Sequence, residues 1–236
     1  MTPLLPVVEV FGPTLQGEGA QVGTKTMFVR LAGCDWACSW CDTPYSWRPG
    51  DLTAVERLGA EVILGRLLAA DAACRRVTLS GGNPALHDCA PLVATLQAAG
   101  YRVHLETQGS LAPAWLAQLD ALTVSPKGPS SGMAPDWSGL AATLRAAAGP
   151  GPGPLVDLKV VVFDDADLAF ALEVRGRHPE VPLTLQVGNR VGVDDTPALL
   201  AKLAHLADRV LAEPRWQGVR VLPQLHVLLW GNRRGV

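Results

Sequence analysis

Arg76-Val77-Thr78-Leu79-Ser80-Gly81-Gly82-Asn83-Pro84 reads as a short buried strand that stops at two glycines and a proline. The apolar run has the length of a strand, and the Gly-Gly-x-Pro that follows cannot continue it and turns the chain. Outward in both directions the pattern repeats. Upstream, Ala54 to Ala70 has helical length and spacing, is preceded by a strand at Thr26 to Leu31, and leaves Cys74 just past a helical stretch that runs to Ala73. Downstream, a helix at Ala90 to Ala98 leads into a strand at Arg102 to Glu106. Further strands are expected at Ala121 to Ser125, Leu155 to Val162, Leu183 to Val187 and Val219 to Leu222, with helices at Leu140 to Ala147, Asp165 to Val174 and Thr196 to Ala212 between them. Strands and helices in alternation build a parallel sheet, because parallel neighbours need a crossover. About six such units are visible, short of the eight that close a full barrel. The expected α/β fold is therefore a partial (β/α)6 TIM-type barrel, open on one side.

The chain of 236 residues has room for one domain of this kind, 1–236, and not for two. Gly149-Pro150-Gly151-Pro152-Gly153-Pro154 reads as a stiff surface loop within it, since a strand follows at once. A hydrophobic content of 48% supports a large core and argues against disorder. The net charge of -2 provides no electrostatic footprint for nucleic acid or for an acidic membrane. No apolar run approaches the roughly 20 residues that span a bilayer. The start Met1-Thr2-Pro3-Leu4-Leu5-Pro6 lacks the basic region of a secretory leader, and the odd count of five cysteines, three of them grouped in one loop, suits a reducing cytoplasm.

Barrels of this type carry their chemistry where strands end. The first strand runs into Gly33-Cys34-Asp35-Trp36-Ala37-Cys38-Ser39-Trp40-Cys41-Asp42-Thr43. Gaps of three and two residues let the backbone wrap one centre with three thiolates, and Cys74 and Cys89 are too distant to be obvious fourth ligands. Structural zinc sites and protein-held cubanes both want four ligands, so three point to a 4Fe-4S cluster with one open iron. A zinc site completed by His87 or His104, or a disulfide, are the competing readings. In Ser80-Gly81-Gly82-Asn83-Pro84 the glycines allow close approach of a ligand to the backbone, as they would in an ordinary loop. Glu106-Thr107-Gln108-Gly109-Ser110 and Ser125-Pro126-Lys127-Gly128-Pro129 end the next two strands. Lys127 suits an anionic carboxylate or plain solvent, and Glu106 suits a site or a core-edge pairing with Arg102 or Lys127. Trp36 and Trp40 flank the cysteines, as shields or as packing; the other tryptophans read as packing, with Trp230 placed to line a dimer interface.

The C-x-x-x-C-x-x-C spacing resembles that of the radical S-adenosylmethionine (SAM) enzymes. Taken with Phe11-Gly12-Pro13-Thr14-Leu15-Gln16-Gly17-Glu18-Gly19, Met27 to Leu31, Trp40 to Thr43, Ser125-Pro126-Lys127 and the C-terminal Leu222 to His226 and Gly231 to Val236, the chain resembles the 7-carboxy-7-deazaguanine synthase family over nearly its full length. The resemblance implies a radical SAM core with a 4Fe-4S cluster on Cys34, Cys38 and Cys41. It implies SAM at Trp40, Cys41, Asp42, Gly82, Asn83, Ser125, Pro126 and Lys127, with the Asn83 amide oxygen standing where the family's superfamily motif has Glu. Thr43 corresponds to a magnesium ligand, although a turn-capping Thr before Pro44 would look the same. Leu15, Gln16, Gly17, Glu18 and Ser80 correspond to pterin contacts, Arg30 to the fork for the substrate carboxylate, and His226 and the Val236 carboxylate to further contacts. The implied reaction is the ring contraction of 6-carboxy-5,6,7,8-tetrahydropterin with loss of ammonia, fed by an electron donor such as a flavodoxin or ferredoxin, in a homodimer. A glycyl-radical activase would share the cysteines but has no use for Gln16 to Gly19 with Arg30. A non-catalytic iron-sulfur or zinc module would not bind SAM.

Overall fold

The structure, a computed structural model, describes residues 3–52 and 54–236; Met1 and Thr2 of the leader reading, and Thr53, lie outside the described residues. Nine strands are assigned: β1 Leu5–Leu15, β2 Lys25–Leu31, β3 Glu56–Leu58, β4 Arg76–Gly81, β5 Arg102–Thr107, β6 Ala121–Val124, β7 Leu155–Val162, β8 Leu183–Val187 and β9 Arg220–Leu222. They form one sheet in the order β3-β1-β2-β4-β5-β6-β7-β8-β9. From β2 to β9 all neighbours are parallel. The long β1 runs antiparallel to both β2 and β3 and extends one edge. The result is the open, partial barrel that the alternation implies.

Helices α1 Ala60–Ala70, α2 Ala90–Ala98, α3 Trp137–Ala148, α4 Asp165–Arg177 and α5 Thr196–Leu211 carry the crossovers, and α6 Leu225–Trp230 follows β9. A 3-10 turn, Ala114–Gln118, makes the crossing from β5 to β6 that the sequence left blank. Three helices start at an aspartate whose carboxylate accepts a free backbone N–H. These are Asp136 from Gly139 at 2.8 Å, Asp164 from Asp167 at 3.0 Å and Asp195 from Ala198 at 2.9 Å. This cap starts α3 three residues ahead of the expected Leu140.

The helix expected from Ala54 begins only at Ala60, because Glu56–Leu58 pairs with β1, setting Leu58 opposite Leu5, and buries Leu58. It stops at Ala70, the end expected for it, and short of Ala73, to which the stretch before Cys74 also reads. The Asp71 carboxylate accepts from Ala73 N at 2.8 Å and Cys74 N at 3.2 Å, which turns the chain toward β4. Gly149 to Pro154 lies between α3 and β7, and β7 joins the same sheet.

Side chains alternate across the sheet, so one strand carries two kinds of residue. Val77, Leu79, Val103, Leu105, Leu122, Val124, Leu158 and Val160 are fully buried in one apolar core. The residues between them are polar. Parallel register sets Arg30 beside Ser80, Thr78 beside His104, Glu106 beside Thr123, and Thr123 beside Asp157. Deep in this face His104 Nε2 lies 2.9 Å from Thr123 Oγ1, which donates to Asp157 Oδ1 at 2.8 Å. Burial, with help from the charge on Lys159, pushes His104 down to about 3, so it is neutral at physiological pH.

Candidate active site

The polar face opens into a cavity of about 260 Å³ at the strand ends. Its rim is the loop after β2. That loop is fixed from three sides: Gly33 N donates to Ser46 O at 2.8 Å, Asn83 N to Gly33 O at 2.7 Å, and Ser39 N to Ser131 O at 2.9 Å. A Cβ on Gly82 would run into the Gly33 carbonyl, so the second glycine is required for the close approach of two backbone loops as well as for any ligand.

Cys34, Cys38 and Cys41 are all free and all line the cavity. Burial, with Asp35 and the other two sulfurs adding to it, pushes the Cys34 thiol up to about 11; burial likewise raises Cys38, against the pull of Lys127. Such thiols become ligands when a cation repays the loss of the proton. Among the described residues no three His, Cys, Asp or Glu side chains gather around a single ion. Nor do the histidines complete a zinc site: His87 Nε2 sits 2.8 Å from Ala32 O, and His104 belongs to the strand network.

Opposite the cysteines lie the charged residues. Arg30 is gripped through Nε by Glu9 Oε1 at 2.7 Å, with Phe11 and Tyr45 rings 5.5 and 5.7 Å from its guanidinium carbon. Its far edge, with Nη1 3.5 Å from Ser80 Oγ, faces the cavity. Glu18 pairs with buried Lys159 and accepts from Gln224 Nε2 at 2.6 Å. Burial would lift Glu18, but Lys159, His226 and Gln224 pull it down to about 2. Glu106 accepts from Gln16 Nε2 at 3.2 Å and pairs with neither Arg102 nor Lys127; burial outweighs Lys159 and raises it. Lys127 is half-buried, donates to Ser125 Oγ at 2.9 Å, and is lowered by burial and by Lys159.

Leu15, Gln16, Gly17, Glu18, Arg30, Trp40, Asp42, Thr43, Ser80, Gly82, Ser125, Lys127, His226 and Val236 all line this one cavity with the cysteines. The C-terminal segment reaches it because Leu225 N donates to Gly17 O at 3.0 Å and His226 packs on the bare Gly17. Thr43 does not cap the turn at Pro44; its hydroxyl lies 3.7 Å from Cys41 Sγ. Two of the residues expected at SAM lie off the cavity wall. Asn83 is 0% exposed, its amide oxygen already accepts from Thr107 Oγ1 at 2.8 Å and Ala85 N at 3.2 Å, and it is absent from the cavity wall. Pro126 lines a separate small pocket with Trp36 and Trp137.

Residues 29–129 match the radical SAM superfamily. The 7-carboxy-7-deazaguanine synthase of Bacillus cereus is 44% identical over 98% of this chain and 99% of the relative, and that of Bacillus subtilis 45% over 98% of each. The chain belongs to the 7-carboxy-7-deazaguanine synthase family. It is an enzyme of the radical SAM superfamily, which implies a 4Fe-4S cluster and SAM. The crystal structure of QueE from Escherichia coli shares the fold, with a TM-score of 0.69 at 24% identity over 94% of each chain.

The cavity suits those synthase cofactors. Gln186 Oε1, Asn189 Oδ1 and Gln224 Oε1 are buried without a hydrogen-bond partner, and all three residues line it. Buried acceptors of this kind call for a ligand bearing N–H or O–H donors, as a nucleoside does. Gln224 was read only as part of the Leu222 to His226 resemblance, without a role; Gln186, Asn189, Glu9 and Lys159 went unread in the sequence. Lys159 was legible as a charge at an alternate position of the apolar run Leu155–Val162; the others carried no signal.

Proposed function

We propose that the chain acts as one domain, 1–236, converting 6-carboxy-5,6,7,8-tetrahydropterin to 7-carboxy-7-deazaguanine with loss of ammonia, a carbon–nitrogen lyase reaction. The observation that carries this reading is one cavity with three free cysteines on one wall and a Glu9-anchored Arg30 beside the Glu18–Lys159 pair on the other. Cys34, Cys38 and Cys41 would hold the 4Fe-4S cluster. When bound beside the cluster, SAM would supply radical hydrogen transfer.

The chain's own residues bind, orient and shield. Arg30 presents the free edge of its fork to the substrate carboxylate. Glu18, kept ionised by Lys159, and Gln16 accept and donate along the pterin edge, with Leu15, Gly17, Ser80, His226 and the Val236 carboxylate completing the pocket. Glu106, raised by burial, is the cavity carboxyl that most favours its protonated form. Gly82, Trp40, Cys41, Asp42, Ser125 and Lys127 take SAM, and Gln186 and Asn189 accept from its nucleoside. The Thr43 hydroxyl, whose one side-chain contact is the long one to Cys41 Sγ, suits a magnesium ion, which would fix the substrate carboxylate. Trp40, packed on Phe163 with ring centroids 5.2 Å apart, excludes water.

A one-electron protein donor such as a flavodoxin or ferredoxin, a cytoplasmic setting and a homodimer complete the reading. Exposed Leu229 and Trp230 on α6 support the last. No helix among the described residues is long and apolar enough to cross a membrane. Anaerobic titration of the reconstituted protein tests the assignment. SAM and the carboxylated pterin should both bind, and Arg30→Ala should lose the pterin while keeping SAM. Equal affinity for a pterin lacking the carboxylate would refute it.

A further inference from the structure

Trp47 closes the turn that follows the cysteine loop. Its backbone N donates to Pro44 O at 3.1 Å, the next residue's N to the same carbonyl at 2.8 Å, and the Ser46 carbonyl takes Gly33 N at 2.8 Å. These bonds tie the turn back to the first residue of the loop. The Arg48 guanidinium lies over the indole, 5.4 Å from its centroid. So held, the ring lines the cavity and directs its Nε1–H at Cys41 Sγ over 3.2 Å. The nearest comparable contact, Gln108 Nε2 to Cys34 Sγ, is 3.9 Å, and Gln108 Nε2 also donates to Asp35 at 2.6 Å. Among the described residues, Cys41 is thus the one cysteine of the three given a short side-chain N–H donor, and nothing in substrate binding requires it.

A donor aimed at a cluster sulfur matters because the charge there changes. One-electron reduction adds negative charge that spreads onto the ligand sulfurs, and an N–H pointing at sulfur stabilises the reduced state more than the oxidised one. The surroundings work the other way: Cys38 is buried, and Glu18 and Asp42 share the cavity. Negative charge added there is poorly solvated and repelled by carboxylates.

We propose that Trp47 is a positioning residue for the electron, donating its indole N–H to Cys41 and raising the reduction potential of the cluster into the range of a one-electron protein donor. This rests on the reading of Cys34, Cys38 and Cys41 as cluster ligands. The ring's shape is secondary; the N–H is the active part.

Redox titration of the reconstituted protein, followed by electron paramagnetic resonance with iron content measured alongside, tests it. Trp47→Phe keeps the ring and removes the donor. It should lower the midpoint by about 59 mV or more, a tenfold shift in a one-electron equilibrium. Trp47→His, which retains a ring N–H, should recover part of the difference. Coincident midpoints for wild type and W47F at four irons per chain would overturn the proposal while leaving the ligand reading intact. A wild-type chain that takes up no cubane would remove the ligand reading, and the proposal with it. Should W47F assemble no full cluster, wild type carrying ¹⁵N-indole tryptophan decides: an indole nitrogen coupled to the reduced cluster is expected, and its absence overturns the role.

Discussion

Asn83 Nδ2 donates to Asp35 Oδ1 over 2.9 Å, and the same carboxylate takes Gln108 Nε2 at 2.6 Å and Ser110 Oγ at 2.5 Å. The amide at the Gly-Gly-x-Pro position is therefore a brace between two loops. Asn83→Asp would set a fully buried carboxylate against that of exposed Asp35. The cluster-free chain should lose about 2–4 kcal/mol at pH 7, the cost of a buried unpaired charge. Urea unfolding measures it, and an unchanged midpoint would mean the brace carries no load.

Glu9 joins two segments that converge on the cavity. Its Oε1 holds Arg30 at 2.7 Å, and its Oε2 holds Arg234 of the C-terminal tail at 2.8 Å. Glu9→Gln should weaken binding of the carboxylated pterin about tenfold, roughly 1.4 kcal/mol, through a less fixed fork. SAM affinity should be unaffected. Equal pterin affinity for wild type and variant in anaerobic titration would show that Arg30 is positioned without Glu9.

The Glu18–Lys159 pair makes stability depend on acid. Glu18 falls from an ordinary 4.5 to about 2 in the fold, so its ionised form favours folding above pH 4.5, and that contribution is lost as pH drops toward 2. The difference corresponds to about 3 kcal/mol. Between pH 5 and pH 2 the wild type should lose more stability than Glu18→Gln, by that order. Parallel curves for the two proteins would contradict the pairing.

Gly82 and Gly65 offer a matched contrast. A Cβ at Gly82 meets the Gly33 carbonyl, whereas one at Gly65 in α1 meets nothing within 4 Å. Gly82→Ala should displace the cysteine loop and reduce iron uptake on reconstitution. Gly65→Ala should leave uptake unchanged and add about 0.5–1 kcal/mol of stability. Full iron in G82A would show that the loop has slack.

Much of this was legible in the chain because periodicity records the core. The apolar runs marked the strands of the barrel from β2 to β9, and α2 falls at its expected bounds. The antiparallel edge was not legible: β1 mixes prolines and a glycine into its run, and β3 has only three residues, so neither offers a period to count. Within the site, loop motifs were readable because spacing fixes what they can hold. The partners of Asn83 were not legible, because a motif shows which residue stands at a position and not where its side chain turns; Thr107 and Asp35 take its amide. Glu9 meets Arg30, and Gln186 and Asn189 reach the cavity, only through neighbours far along the chain.

The most direct measurement is an anaerobic turnover assay of the reconstituted protein with SAM, a strong reductant, magnesium and 6-carboxy-5,6,7,8-tetrahydropterin. The account predicts 7-carboxy-7-deazaguanine by mass and ultraviolet spectrum, with ammonia released in equal amount and all product lost in Cys38→Ala. Cleavage of SAM to 5'-deoxyadenosine with the pterin recovered unchanged would contradict it.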